Sequence, residues 1–158
     1  MLIFQGSEDY CFLLTLRTEA VETHKGQISF PGGVKEPGEQ SMLETALRET
    51  WEEIGLPHTR IQILGEFDDY RSVTDLIVTP YAGWVVPPLN LVPNRNEVEE
   101  VLEVPLSLFR DETRLRVENR TRGGEEFPVY FYNFGGRDIW GLTARIIRDF
   151  MMLIDTEN

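Results

Sequence analysis

The sequence predicts an α/β protein in which a mixed β-sheet is sandwiched by helices. Two amphipathic segments with helical spacing, 41–56 and 138–154, alternate with short runs rich in β-branched and aromatic residues. The chain has 158 residues, the length of one domain with a substantial core, and 41% of its residues are hydrophobic. We therefore predict a single α/β domain over residues 1–158.

The strands are predicted from β-rich runs bounded by turn residues. Residues 73–86 hold apolar patches on both sides of Thr79-Pro80, which predicts one long strand bent or bulged at the proline. Residues 87–96 are rich in proline and asparagine and predict a surface loop, where catalytic groups are often held. The remaining predicted strands are 2–5, 10–17, 60–67 and 127–134, the last following a hairpin turn at Gly123-Gly124.

The first helix has clear start and stop signals. Ser41 and Glu44 have the spacing of a capping box, which satisfies free backbone N–H groups at the start of a helix. Gly55 stands where a left-handed residue ends a helix, and Pro57 prevents its continuation. The second helix is predicted to begin at Asp138, with a buried stripe of apolar residues: Ile139, Leu142, Ile146 and Phe150.

The first helix gathers carboxylates on one flank. Glu49, Glu52 and Glu53 lie at i, i+3 and i+4, so their side chains come within reach of one another, and Arg48 is placed to brace Glu52. Like charges this close repel, and Mg²⁺ or Mn²⁺ removes the conflict because these cations prefer hard oxygen ligands. A solvated acidic face is the alternative, but the glycine turn at Gly32-Gly33 favours the metal site. The apolar flank is expected to face a core: Leu43, Ala46, Leu47, Thr50 and Ile54.

The segment from Gly33 to Leu56 resembles the Nudix box, the signature of the Nudix hydrolase superfamily. Eight residues, rather than the usual seven, separate Glu39 from Arg48. This longer spacing resembles the coenzyme A pyrophosphatase branch, as do the segments 13–17, 26–33, 45–49 and 139–141. The matching positions of the box are Gly33, Glu39, Arg48, Glu49, Glu52, Glu53, Gly55 and Leu56.

The resemblance implies a Nudix-type α/β/α sandwich that hydrolyses a diphosphate linkage in a nucleoside diphosphate derivative with the help of a metal ion. The branch implies coenzyme A or acyl-coenzyme A as substrate, cleaved to 3′,5′-ADP and (acyl-)4′-phosphopantetheine. An ADP-ribose or nucleoside diphosphate sugar substrate stays open, because loops recognise the groups that flank the diphosphate. A non-catalytic nucleotide-binding module is the remaining alternative.

The resemblance also implies roles for individual residues. The general base is left open between Glu53 on the helix and Glu97 after the loop, with Glu100 as the second choice in the loop region. An acidic helix N-terminus is the alternative explanation for the last two. Arg48 is expected to orient the helix carboxylates rather than to contact phosphate. The implied ligands of Mg²⁺ or Mn²⁺ are the carboxylates of Glu49, Glu52 and Glu53 and the carbonyl of Gly33.

The composition excludes several classes of partner and site. A net charge of −12 with no dominant basic patch argues against nucleic acid. No apolar run approaches the roughly 20 residues that a membrane span requires, and the start of the chain lacks a signal-peptide pattern. A cytoplasmic protein is therefore expected. The single cysteine, Cys11, excludes an internal disulfide and a cysteine-rich zinc site.

Two further features leave alternatives open. Tyr130 and Tyr132 share one face of the strand over 127–134 and Phe131 the other, which suits core packing, a dimer interface or adenine stacking. The resemblance implies a homodimer for which this strand is a candidate interface. His24 lies in a polar segment, where a plain loop residue and a ligand or substrate contact are both compatible with the sequence.

Overall fold

The computed structural model describes residues 1–19 and 26–156, so His24 lies outside the described residues. The chain divides into two compact units, Met1–Val104 and Pro105–Asn158. Both units combine β-sheet with helix and the sheet of the first unit is mixed, so the predicted α/β class with a mixed sheet is confirmed. None of the described helices is long and apolar enough to cross a membrane.

The elements are numbered in chain order, and β8 crosses the boundary between the units. The first unit contains β1 (Leu2–Gln5), β2 (Tyr10–Arg17), β3 (Ile28–Ser29), α1 (Met42–Ile54), β4 (Ile61–Glu66), β5 (Tyr70–Arg71), β6 (Ile77–Val78), β7 (Tyr81–Val85) and β8 (Val98–Pro105). The second unit contains α2 (Ser107–Arg110), β9 (Leu115–Arg122), β10 (Glu125–Phe134), β11 (Arg137–Trp140) and α3 (Gly141–Thr156).

Strand β1 lies inside the sheet of the first unit. It pairs antiparallel with β2 on one side and parallel with β7 on the other, which makes the sheet mixed. Strand β2 also pairs with β3 and β8, while β4 pairs antiparallel with β7 at the far end of the strand order. Because Leu2 pairs with Leu13, β2 runs on past the start of β1, and its last residue, Arg17, stands at that end of the sheet.

Helix α1 forms where it is predicted. The Ser41 hydroxyl accepts the N–H of Glu44 at 3.1 Å, and Gly55 ends the helix with a left-handed φ of 69°. Glu44 accepts in return from the N–H of Gln40 rather than from that of Ser41. The last turn is the part that enters the core, because Leu43, Ala46 and Leu47 of the predicted flank are only half-buried. The core of this unit contains Ile54, Leu56, Leu2, Phe4, Cys11, Leu13 and Val85.

The prediction of one long strand over 73–86 is wrong. Strand β6 pairs with β5 in a two-stranded hairpin, whereas β7 pairs with β1 and β4. The break falls at Thr79-Pro80, because proline has no N–H for a ladder and here serves only as an acceptor. The Pro80 carbonyl accepts the N–H of Phe67 at 2.8 Å, which continues the β4–β7 ribbon into the hairpin.

In the second unit, β10 lies between β9 and β11 in an antiparallel sheet, and the predicted Gly123-Gly124 turn joins β9 to β10. The predicted helix start at Asp138 is wrong, because Arg137–Trp140 forms β11 and pairs with β10. Helix α3 begins at Gly141 and buries Ile146 and Phe150 as predicted.

The aromatic residues of β10 serve core packing in this unit. Phe131 and Tyr132 are buried, and Tyr132 meets Phe109 edge to face at 5.0 Å between ring centroids. Phe131 stacks on Trp140 at 5.6 Å, and the Arg116 guanidinium lies 4.0 Å from the Phe131 ring centroid. Of the alternatives that the sequence leaves open for these rings, core packing is therefore the one observed for Phe131 and Tyr132.

Candidate active site

Glu53 is a buried carboxylate held by protein donors on both oxygens. It lies in the last turn of α1, and its side chain is 2% exposed. Nη1 of Arg17 donates to Oε1 at 3.2 Å, and the N–H of Gly32 donates to Oε2 at 3.3 Å. Burial raises the pKa of Glu53 to about 7, and the charge of Arg17 opposes that rise. One carboxylate thus joins α1, the end of β2 and the glycine turn.

Arg48 connects the other carboxylates of the helix. Its Nη1 donates to Oε1 of Glu49 and to Oε2 of Glu52, each at 2.8 Å, so the predicted contact with Glu52 is present. Its Nε donates to Oε1 of Glu39 at 2.8 Å, and this hydrogen bond is the main reason that the pKa of Glu39 falls to about 2. Arg48 therefore fixes three side chains and offsets their mutual repulsion.

Gly33 brings the main chain against Glu49. A Cβ built on Gly33 would lie 2.3 Å from Oε1 of Glu49, so any other residue here would force the Glu49 carboxylate to shift. Burial raises the pKa of Glu49, the contact with Arg48 lowers it, and the charges of Glu52 and Glu97 raise it further. The main chain of Gly33 and the carboxylate of Glu49 are therefore in close contact.

Glu97 joins this group from outside the helix. After burial, the negative charge of Glu97 is a smaller contribution to the raised pKa of Glu49 and of Glu53. Oε1 of Glu97 accepts from Nδ2 of Asn94 at 3.0 Å, and its carbonyl accepts the N–H of Thr18 at 2.9 Å. A side-chain hydrogen bond and a main-chain hydrogen bond therefore orient this residue.

The loop over 87–96, which leads to Glu97, is fastened to the end of α1. The N–H of Val92 donates to the carbonyl of Ile54, and the N–H of Asn94 donates to the carbonyl of Glu53, both at 2.9 Å. Carbonyl groups in the last turn of a helix have no hydrogen-bond partner within the helix. The loop supplies an N–H donor for two of them, those of Glu53 and Ile54. The spacing between the loop and the helix is therefore set by main-chain hydrogen bonds.

The remaining predicted residues lie at the margin of the cluster. The side chain of Glu52 is 50% exposed, and Glu100 is exposed on β8, three residues beyond Glu97. The sequence alone predicts no role for Arg17, although Arg17 contacts Glu53 directly. The feature of the sequence that could have indicated this contact is a charged residue at the end of a largely apolar strand. The Nε of Arg17 is buried and has no hydrogen-bond partner among the described residues.

The donor set of this site fits a divalent cation of the hard type. Its groups are carboxylate and carbonyl oxygens, which suit Mg²⁺ and Mn²⁺, and the main chain of Gly33 lies directly against the Glu49 carboxylate. Within residues 1–19 and 26–156, no three His, Cys, Asp or Glu side chains are arranged to hold a metal ion. Arg48 contacts Glu49 and Glu52 in this arrangement, so a cation would compete with it for their oxygens.

Comparisons with known proteins identify the family of this chain. The family model described as the NUDIX domain matches residues 1–135. An uncharacterized Nudix hydrolase, NudL, of Photorhabdus laumondii is 42% identical over 135 residues, covering 85% of this chain and 72% of that protein. The NudL of Pectobacterium atrosepticum is 36% identical over 142 residues, covering 90% of this chain and 74% of that protein.

Solved structures show the same fold. A MutT protein from Methanosarcina mazei aligns with a TM-score of 0.58 and 23% identity, covering 99% of this chain and 91% of that one. An Ap4A hydrolase of Caenorhabditis elegans aligns with a TM-score of 0.58 and 18% identity, covering 67% and 76%. The family match over residues 1–135 and the NudL proteins show that the chain belongs to the Nudix hydrolases, enzymes that cleave pyrophosphate bonds in nucleoside diphosphate derivatives.

Proposed function

We propose that this enzyme hydrolyses the diphosphate linkage of coenzyme A or acyl-coenzyme A, giving 3′,5′-ADP and (acyl-)4′-phosphopantetheine, with Mg²⁺ or Mn²⁺. The observation that carries the chemistry is the set of contacts at the glycine turn and the end of α1: Gly32 donates to Glu53, Gly33 lies against Glu49, and Asn94 links the main chain of Glu53 to the carboxylate of Glu97. The sequence resemblance outside the helix, including the segment 26–33, supports the coenzyme A substrate.

Four groups would hold the cation: the carboxylates of Glu49, Glu52 and Glu53 and the carbonyl of Gly33. When bound, a divalent cation neutralises the charge of the diphosphate and lowers the pKa of a water molecule. Arg48 acts as a positioning residue, because its hydrogen bonds fix the side chains of Glu49 and Glu52. Arg17 has the same role toward Glu53, since it is the charged partner of that carboxylate.

Glu97 is the general base in this proposal. Glu53 is assigned to the cation, and hydrogen bonds from Arg17 and Gly32 hold its two oxygens in place for that role, which leaves Glu97 to take the proton. Glu97 is half-buried beside the cluster, and Asn94 orients it through Oε1. In the reaction, Glu97 takes a proton from the attacking water. The water oxygen bonds to phosphorus as the bridging P–O bond breaks.

Product analysis is the first experiment. The purified enzyme is incubated with coenzyme A, ADP-ribose and GDP-mannose in parallel, with Mg²⁺, with Mn²⁺ and with EDTA, and the products are separated by chromatography. We expect 3′,5′-ADP from coenzyme A, with a higher kcat/KM than for the other two substrates, and no turnover in EDTA. Preferred cleavage of ADP-ribose or GDP-mannose would overturn the substrate assignment alone. Binding without hydrolysis under every metal condition would overturn the enzymatic proposal itself.

A matched set of glutamine variants tests the residue roles. E52Q and E53Q should lose turnover and raise the metal concentration needed for half-maximal rate. E97Q should lower kcat by about 10²–10⁴-fold, the usual contribution of a general base, with little change in metal requirement. E100Q, three residues further along, should keep its activity. Comparable losses in E100Q and E97Q would contradict the assignment of the base.

A further inference from the structure

The β5–β6 hairpin lies at the end of the sheet that carries Arg17. Leu2 of β1 pairs with Leu13 of β2 and with Gly83 of β7, so the end of β2 and the start of β7 extend past β1 in the same direction. Only β1 separates these two strands, which places them about 10 Å apart. The ribbon of β4 and β7 continues from there into the hairpin. The hairpin therefore stands at the same end of the sheet as the carboxylate of Glu53, which Arg17 contacts.

One face of this hairpin exposes a cation beside an apolar side chain. Arg71 pairs with Ile77, and residues directly opposite each other in an antiparallel pair point to the same side. The side chain of Arg71 is 72% exposed and Ile77 is 56% exposed, whereas Tyr70, which points to the other side, is buried. A ligand that carries an aromatic ring close to an anionic group would complement this face.

Arg71 keeps much of its hydrogen-bonding capacity. Its Nε donates to Oδ1 of Asp75 at 3.1 Å, and neither Nη1 nor Nη2 has a partner among the described residues. These two groups form the fork that binds a phosphate through two parallel hydrogen bonds. The ion pair with Asp75 is exposed and therefore weak, so a phosphate dianion competes well with it. By contrast, Arg17 and Arg48 are bound to the glutamates of α1.

The turn of the hairpin is held by its own hydrogen bonds. The N–H of Ser72 donates to the carbonyl of Leu76 at 2.8 Å, and the Ser72 hydroxyl accepts the N–H of Leu76 at 3.1 Å and that of Thr74 at 3.3 Å. A turn fixed in this way loses little conformational entropy when a ligand binds. The backbone that carries Arg71 is thus organised before binding.

We propose that this hairpin binds the 3′-phosphoadenosine end of coenzyme A, with Arg71 on the 3′-phosphate and Ile77 against the adenine ring. The inference rests on the proposed function, which supplies the substrate, and adds the residues that recognise one end of it. With the diphosphate at the glutamate cluster, the ribose carries the adenine and the 3′-phosphate away from that cluster. The residues that bind these two groups must therefore lie outside the cluster but at the same end of the sheet, as the hairpin does.

Steady-state kinetics with coenzyme A and 3′-dephospho-coenzyme A tests the assignment, because the two substrates differ only in the 3′-phosphate. The wild type should have the higher kcat/KM for coenzyme A. R71M should raise KM for coenzyme A about tenfold and leave kcat/KM for 3′-dephospho-coenzyme A unchanged. I77A should lower kcat/KM for both substrates by a similar factor, because both contain adenine. R114M removes an exposed arginine of the second unit and is the control, which should keep the wild-type preference.

Circular dichroism of each variant confirms that it is folded. A preference for coenzyme A that persists in R71M would overturn the assignment of the hairpin. So would loss of the preference in K35M or R95M instead, which remove exposed cations two residues from Gly33 and Glu97. A wild type that cleaves both substrates equally well would overturn the assignment of the hairpin alone. A wild type that cleaves neither would overturn the proposed function, and the assignment of the hairpin with it.

Discussion

Removing Arg17 should destabilise the fold in a pH-dependent way, because Arg17 is the charged partner of a buried carboxylate. The variant is R17M, which keeps the apolar stem and removes the guanidinium. The pKa of Glu53 is about 7, above its ordinary value of 4.5, so the folded protein binds a proton that the unfolded chain releases. Stability linked to this group therefore falls as the pH rises from 4.5 to about 7. Loss of Arg17 raises that pKa further and extends the fall to higher pH.

The magnitude follows from the burial of the pair. Removing one partner of a fully buried ion pair costs about 3–5 kcal/mol. Arg17 is 20% exposed, and the N–H of Gly32 still serves Glu53, so we expect a smaller loss. At pH 8 without metal, R17M should lower the free energy of unfolding by about 2 kcal/mol. At pH 5 the loss should be under about 1 kcal/mol, because a protonated Glu53 does not need the guanidinium of Arg17.

Urea unfolding in EDTA at pH 5 and pH 8 measures both values. R71M is the matched control, because Arg71 makes an exposed ion pair with Asp75 and its loss should cost under about 1 kcal/mol at either pH. A role for Arg17 as the charged partner of Glu53 is refuted if, at pH 8, R17M lowers the free energy of unfolding no more than R71M does. It is equally refuted if R17M is destabilised more at pH 5 than at pH 8.

Three other predictions follow from the same structure. G33A should lose activity and metal affinity, because its Cβ would lie 2.3 Å from the Glu49 carboxylate. G65A is the control and should retain both, because nothing lies within 4 Å of its Cβ. Equal activity of the two variants would contradict a role for the contact between Gly33 and Glu49. The Cys11 thiol is buried and its pKa is raised, chiefly by burial, so a thiol reagent should modify it slowly in the native protein and rapidly in urea. S41A removes the N-cap of α1 and should lower the free energy of unfolding by about 1 kcal/mol in a urea titration.

Local signals in the sequence predicted the helix that carries the site. Ser41 and Gly55 specify a start and a stop through bonds to backbone groups nearby, and both perform those roles in the structure. The spacing of Arg48 and Glu52 likewise predicted a contact that depends only on helix geometry. Elements and contacts of this kind are encoded within a few residues, so one sequence is enough to find them.

Contacts between distant segments were the ones that the sequence did not reveal. Ile139 fits the spacing of the helix that follows it, and only its pairing with Tyr132 on β10 makes it part of a strand. Arg17 and Glu53 are 36 positions apart, and their contact depends on the register of the sheet against α1. The proline at position 80 marks the break before β7, but only strand pairing shows that β6 joins β5 while β7 joins β1 and β4.

The 87–96 loop is fastened to α1 at two of its residues, Val92 and Asn94. Val92 and Asn94 are held to α1 by their N–H groups, which any residue other than proline could supply, but the Asn94 side chain also orients Glu97. Residues 87–91 precede the first of these bonds, but Leu89 and Leu91 among them pack against the core of the first unit. A loop grafted here from another family member should therefore keep apolar residues at these two positions, so that the hydrolytic residues hold their places in the chimaera.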